Sequence, residues 1–380
     1  MQIVYQTIFS YCGGYNYLNG QVCKEFSLIA PKVCYLRYLD DLLGDEKEIC
    51  LSPSCNLLEL AFEKELLHLL GYNKHLISAD HVSEVTGKGK LKILKWFKDN
   101  GYSIDEHIFS IAATSGQHEV MCWLREINCP YDKDKMCSDL AHGGDLEFLK
   151  WARSEGCPWG EDFCSNAAFS GHLQLLQWAV ENGHSLDTWI CSSAAEGGQL
   201  EVLQWAHSQG CFWDSNTCFR AAHKGHLEVL KWLHQNGCPW TSGVCSAAAA
   251  EGYLEILQWA RSQGCDWSEQ VYVYAIDNDR LEIVEWACAN GCPLTPNIFN
   301  QAIIKGNLQI LQILKDGGGP PQKTFWNRYM LADALSNGDL RVLDWLKENG
   351  NFGEIFCDAA RMSKTNSEDV LEWLFWNGFV

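Results

Sequence analysis

The stretch Gly225-His226-Leu227-Glu228-Val229-Leu230-Lys231-Trp232-Leu233 recurs in near-copy along the chain, as Tyr253 to Ala260, Gln199 to Ala206, His172 to Ala179 and Asp145 to Ala152. Its tryptophan fixes the period: Trp151, Trp178, Trp205, Trp232, Trp259 and Trp286 stand 27 residues apart. The column reaches Trp123 and Trp96 on one side and Trp345 and Trp373 on the other, with Ile313 in the tryptophan place of one copy. The step from 313 to 345 is 32 and holds Gly317 to Pro321, which reads as a loop insertion. About eleven copies therefore run from Ser78 to the last residue. Self-similarity at a fixed period over this length marks a solenoid, whose units cannot bury their apolar faces alone.

One copy, Thr241 to Trp267, shows what the unit is. Ser242-Gly243-Val244-Cys245-Ser246 and the four alanines 247 to 250 predict a short helix A, Glu251-Gly252 a turn, and Tyr253 to Gln263 a second helix B. The place of Thr241 is held elsewhere by Ser78, Asp105, Asp132, Gly160, Asp187, Asp214, Ser268 and Thr295. These types suit a helix N-cap, where a side-chain oxygen accepts from unpaired first-turn amides. Pro296 after Thr295 fits the first helical position. Gly210, Gly237, Gly264 and Gly291 stand where helix B must end in a left-handed residue. At about 100° per residue, Leu227, Val229, Leu230, Trp232 and Leu233 cover more than half of helix B, which must then touch its own helix A and a helix B on either side, with the tryptophan in the core. Helix A carries Ala167-Ala168, Ala194-Ala195, Ala221-Ala222 and Ala247 to Ala250, and small side chains let helices approach closely. An all-α, curved α-solenoid with helix A on its inner wall is expected.

The run 225 to 237, with Ala221-Ala222 before it, resembles the ankyrin repeat. It departs from that family in lacking the Thr-Pro-Leu-His opening, where Val244-Cys245-Ser246-Ala247 stands, and in a period of 27 rather than about 33. The missing residues are those of the protruding hairpin. The chain looks like the short, Trp- and Cys-rich ankyrin-like repeat of giant DNA viruses, oomycetes and algae. Ankyrin partners are often gripped by hairpin tips, so the resemblance without the hairpin shifts the expected binding surface to helix A.

Residues 1–77 lack the full period and are expected to form a helical cap, with 78–380 as the array. Ile8-Phe9-Ser10-Tyr11, Leu18, Val22 and Phe26 resemble an F-box, which presents apolar residues to an adaptor of cullin-type ubiquitin ligases. The other reading of the same residues is a cap shielding the first repeat's apolar end. Asn56 to Leu70 reads as an amphipathic helix completing that cap.

With 380 residues, 47% of them hydrophobic, the chain can bury a large core. Its formal net charge of −19 disfavours nucleic acid and anionic membranes, since affinity for phosphates comes largely from Lys and Arg. No stretch approaches the roughly 18 apolar residues of a membrane span. Met1 to Gln6 lack the basic region and apolar run of a secretory signal, so a cytoplasmic location is expected, a host's cytoplasm if the chain is viral.

The nineteen cysteines fall mostly into two columns, Cys137, Cys164, Cys191, Cys218 and Cys245 in helix A, and Cys129, Cys157, Cys211, Cys238, Cys265 and Cys292 after helix B. No Cys-x-x-Cys pair points to zinc, and once-per-repeat spacing is what buried thiols packing as small hydrophobes would show. His118, His172 and His226 read as one position before helix B, where the ankyrin resemblance implies a His that bonds the turn, and His142 and His223 as residues near the end of helix A, with Glu196, Glu251 and Asp277 there in other copies. Trp159, Trp213, Trp240 and Trp267 share a loop column with Tyr131, Leu186 and Leu294, and are expected to fill the gap left by the missing hairpin. Phosphate-binding glycine loops, Gly-x-Ser-x-Gly and His-Glu-x-x-His are absent, so neither an enzyme nor a cofactor is expected. The expected function is a protein-binding scaffold, with partner-binding candidates at the helix A starts: Glu161, Asp162, Thr188, Ser215, Asn216, Ser242, Glu269 and Gln270. A substrate-recruiting subunit of a ubiquitin ligase, using Ile8, Phe9, Leu18, Val22 and Phe26, is the alternative.

Overall fold

The computed structural model describes residues 35–47, 52–317, 328–349, 353–362 and 367–379. Among them stand 25 α-helices and no strand. The insertion near 317–321 and the F-box-like residues lie largely or wholly outside the described residues. The chain forms two compact units, residues 1–167 with 177–179, and residues 168–176 with 180–380.

In the first unit, helices Tyr35–Gly44, Cys55–Lys64 and Leu67–Tyr72 precede the helix pairs Ala79–Gly87 with Leu91–Asp99, Glu106–Thr114 with His118–Glu126, and Lys133–Gly143 with Leu146–Ser154. Leu66 offers helix Leu67–Tyr72 no capping oxygen; the buried Asp40 supplies one from another helix, accepting from Leu69 N at 2.8 Å. Asn73, also buried, accepts from Ser54 N at 3.0 Å and donates to Leu69 O at 2.8 Å, which ties the start of helix Cys55–Lys64 to the end of Leu67–Tyr72.

The second unit contains seven consecutive pairs: Ile190–Glu196 with Leu200–Ser208, Ser215–His223 with Leu227–Gln235, Gly243–Glu251 with Leu254–Ser262, Gln270–Asp277 with Leu281–Ala289, Pro296–Lys305 with Leu308–Asp316, Arg328–Asn337 with Leu340–Asn349, and Gly353–Met362 with Glu368–Trp376. Consecutive A helices pack on one another, and from Ile190–Glu196 to Arg328–Asn337 each helix A also packs on its own helix B. The A helices meet through Ala194, Ala195, Ala221, Ala222, Ala248 and Ala249, all fully buried. The pair Phe163–Ser170 with Leu173–Glu181 is divided between the units. Eleven helix pairs thus answer the eleven sequence copies, and each unit is built as an α-solenoid.

The expected left-handed glycines are present: Gly210, Gly237, Gly264 and Gly291 have φ of 80°, 80°, 79° and 78°, and Asn128 takes the same role at 52°. The caps follow the expected column with a shift of register in some copies. Asp105 accepts from His107 N at 3.1 Å, and Asp214 from Asn216 N at 3.0 Å. At Asp187, Thr241 and Ser268 the side chain still takes the amide two residues on, yet the helix begins only at Ile190, Gly243 and Gln270. A turn lies between cap and helix in these copies.

Helix B corrects one expectation. Val229, Leu230 and Leu233 are buried as the period requires, and so are Trp123 and Trp373, whereas Trp232 and its counterparts Trp151, Trp178, Trp205, Trp259 and Trp286 are half-buried. Where the loop column is aromatic, the helix B tryptophan meets the loop ring before its own helix A. Trp213 meets Trp232 at 5.6 Å, Trp240 meets Trp259 at 5.7 Å and Trp267 meets Trp286 at 5.5 Å, each edge to face. One face of each loop ring is covered by the preceding helix B: His207 stacks on Trp213 at 3.7 Å, His234 on Trp240 at 4.1 Å, and Arg261 lies 4.3 Å from Trp267. The loop tryptophans therefore staple successive repeats.

Candidate functional site

Both cysteine columns are spent on the fold. Cys137, Cys164, Cys191, Cys218 and Cys245 are buried and unbridged. In the loop column, Cys129, Cys238, Cys265 and Cys292 lie 3.3, 3.3, 3.4 and 3.5 Å from the carbonyls of Asp105, Asp214, Thr241 and Ser268. Each thiol thus donates to the cap residue of its own repeat. Burial pushes the Cys129 thiol up to about 11 and those of Cys137, Cys191 and Cys292 up to about 12. Such thiols are poor nucleophiles and poor metal ligands. Among the described residues, no group of three His, Cys, Asp or Glu side chains converges as a metal site would require.

The turn residue before helix B spans successive repeats. His226 Nε2 donates to Glu196 O at 3.0 Å, and Gln117 Nε2 donates to Gly87 O at 2.7 Å. The sequence grouping of His118 with His226 is therefore out by one: Gln117 holds the turn-bonding place, and His118 instead meets Asp145 at 2.6 Å. His223 lies 3.4 Å from Glu251 of the next copy.

A cavity of about 430 Å³ in the first unit, lined by Glu59, Phe62, Glu63, His81, Glu84 and Lys88 among others, gathers unlike ionisable groups, so catalysis has to be weighed there. Several of its groups are already engaged. His81 accepts from Ser78 N at 3.0 Å in a capping box and stacks on Phe62 at 5.3 Å. The hydrogen bond from Lys64 holds the Glu63 carboxyl below the usual range, and that from Lys88 does the same for Glu84. A general acid near neutral pH needs the opposite shift.

The exposed side of the A helices is a different surface. It carries bonds between copies: Arg220 pairs with Glu196, Gln301 Nε2 donates to Asp277 Oδ1 at 2.6 Å, and Lys305 lies 3.4 Å from the same carboxylate. Beside these polar links stand Phe169, Phe219, Tyr274 and Ile304, exposed by 39, 38, 43 and 44%. The sequence candidates lie at the helix A starts as expected. Glu161, Asp162, Thr188 and Gln270 are exposed; Ser215, Asn216, Ser242 and Glu269 are half-buried. Glu269 is engaged by Thr295 Oγ1 of the next copy, and Asn216 N is bonded to the cap Asp214. The copies place these residues at one phase rather than in one pocket. Ile8, Phe9, Leu18, Val22 and Phe26 lie outside the described residues. Sequence reasoning missed the exposed aromatics. Their signal was present in the columns: the place of Phe219 holds Ser192 and Ser246 in the neighbouring copies, and that of Tyr274 holds Arg220 and Ala247.

This architecture defines a helical repeat protein of the α-solenoid class. No family model matches the chain, and no curated protein does. Among solved structures, the human ASB11 ankyrin repeat domain is similar over 41% of this chain and 84% of its own, with 14% identity and a TM-score of 0.36. PPR10 from maize, a pentatricopeptide repeat protein, is similar over 87% of this chain and 59% of its own, with 16% identity and a TM-score of 0.33. The same maize protein in complex with an 18-nt psaJ RNA element aligns over all of this chain and 67% of its own at 10% identity, TM-score 0.32. Likenesses this distant say nothing of what this chain binds. Among the described residues, no helix is long and apolar enough to cross a membrane.

Proposed function

We propose that the chain is a non-catalytic scaffold that binds another protein along the exposed side and leading ends of its A helices. One observation carries this reading. Buried A positions repeat from copy to copy, as in the alanines, while exposed ones differ and include Phe169, Phe219, Tyr274 and Ile304, apolar groups left facing water. A surface that varies in chemistry on a constant frame is what recognition uses. The −19 charge favours a basic protein partner over a nucleic acid, through steering and complementarity. The test is affinity purification from a eukaryotic lysate, read by mass spectrometry, with the full chain and with a Phe219→Ser/Tyr274→Ser variant as baits. A protein retained by the first and lost from the second supports the reading, and identical sets from both reject it.

The F-box resemblance of the stretch holding Ile8, Phe9, Leu18, Val22 and Phe26 supports a second reading, in which that segment recruits a ubiquitin-ligase adaptor and the repeats choose its substrate. A bait lacking residues 1–40 separates the two: an adaptor captured only by the full chain establishes recruitment, and its absence from both removes it.

A further inference from the structure

We propose that the groove between connections 208–216 and 235–243 seats one apolar side chain from an extended, basic segment of the partner; this rests on the scaffold reading above. The groove is an open cavity of about 500 Å³ walled by Phe212, Trp213, Asp214 and Pro239. That volume is within the roughly 300–1,000 Å³ of ligand pockets, and its openness suits a side chain presented by a polypeptide rather than an enclosed small molecule.

Phe212 is the anomaly that marks it. The same place in other copies holds Pro130, Pro158, Ser185, Pro239, Asp266 and Pro293, and Phe212 is 65% exposed, so the fold does not require its ring. The floor beside it is fixed in advance. Trp213 is held by the stacked His207 on one face and by Trp232 at its edge, so little freedom is lost when a guest arrives.

Charge identifies the guest's flanks. Connections 181–189, 208–216, 235–243, 262–270 and 289–297 contain Glu181, Asp187, Asp214, Asp266 and Glu269 and no Lys or Arg of their own, with Arg261 of the preceding helix lying over Trp267. Packed helices space successive connections roughly 8–10 Å apart, about three residues of extended chain at roughly 3.3 Å each. A guest anchored beside Phe212 therefore reaches Asp187 about three residues to one side, and Asp266 with Glu269 some three to six residues to the other. The recognised pattern is an aliphatic or aromatic anchor with Lys or Arg at those distances.

A random peptide library displayed on phage and selected on the full chain tests this. Selection is expected to enrich peptides with that pattern. Binding of an enriched peptide should weaken at least tenfold in the Phe212→Ser variant, whose thermal midpoint should match the parent because the residue is exposed. It should also weaken when salt shortens the Debye length from ~10 to ~3 Å. Enriched peptides that lack basic residues, or that bind Phe212→Ser unchanged, overturn the proposal. Loss of binding in Phe219→Ser/Tyr274→Ser alone overturns the groove and keeps the scaffold. If no peptide is enriched, the groove falls, and the lysate experiment decides separately whether the scaffold stands.

Discussion

At the scale of single residues, the buried thiols make stability depend on pH. Burial raises Cys129 to about 11 and Cys137, Cys191 and Cys292 to about 12, from an ordinary value of roughly 8.5. Below that ordinary value both folded and unfolded chains keep these protons, and the contribution is complete. Above it the unfolded chain loses protons that the folded chain retains, so stability falls as pH climbs from ~8.5 toward ~12. The urea midpoint should thus be lower at pH 10 than at pH 7.5, and Cys191→Ala should flatten the difference. An unchanged midpoint would remove burial as the role of these columns. Gly225 supplies a second residue-scale prediction. Its φ is +83° and an added Cβ would meet the Tyr253 ring at 2.8 Å. Gly225→Ala should cost about 1–2 kcal/mol from the left-handed backbone alone, read by chemical unfolding.

At the scale of the element, helix starts and staples differ in what they contribute. Asp214 caps Ser215–His223 by accepting from two amides, so Asp214→Ala should cost about 1 kcal/mol. Trp240 lies between His234 and Trp259, and Trp240→Ala should cost about 1–3 kcal/mol, an effect that His234→Ala reproduces in part. Much of this level was legible in the sequence. Trp232 and its phrase placed helix B, the alanine column placed helix A, and Gly237 placed the break between repeats, because each reports a local backbone demand. The half-exposed tryptophans were not legible, since a helical wheel shows that one side is apolar without showing that a loop ring from the same repeat covers it. The start at Gly243 rather than beside Thr241 was hidden too, because an oxygen two residues before an amide satisfies it in a turn as well as in a helix. At the surface, Phe212 and Phe219 needed the copies to be aligned column by column, since each is unusual only beside its siblings.

At the scale of the molecule, the account makes stability a sum over repeats and their neighbours. Ala248, at 0% exposure on the A–A seam, is where a single change should propagate: Ala248→Leu should cost about 1–3 kcal/mol by overpacking. The period itself is tested most directly by deletion. Removing residues 241–267 takes out one helix A, one helix B and their connections, and joins two copies whose faces already match, whereas removing 241–253 takes out a helix A and leaves its helix B without one. Circular dichroism and urea unfolding of both variants decide. The 27-residue deletion is predicted to keep the helicity per residue and a cooperative transition, and the 13-residue deletion to lose both. Equal collapse of the two, or equal tolerance, would contradict a chain built from interchangeable 27-residue helix pairs.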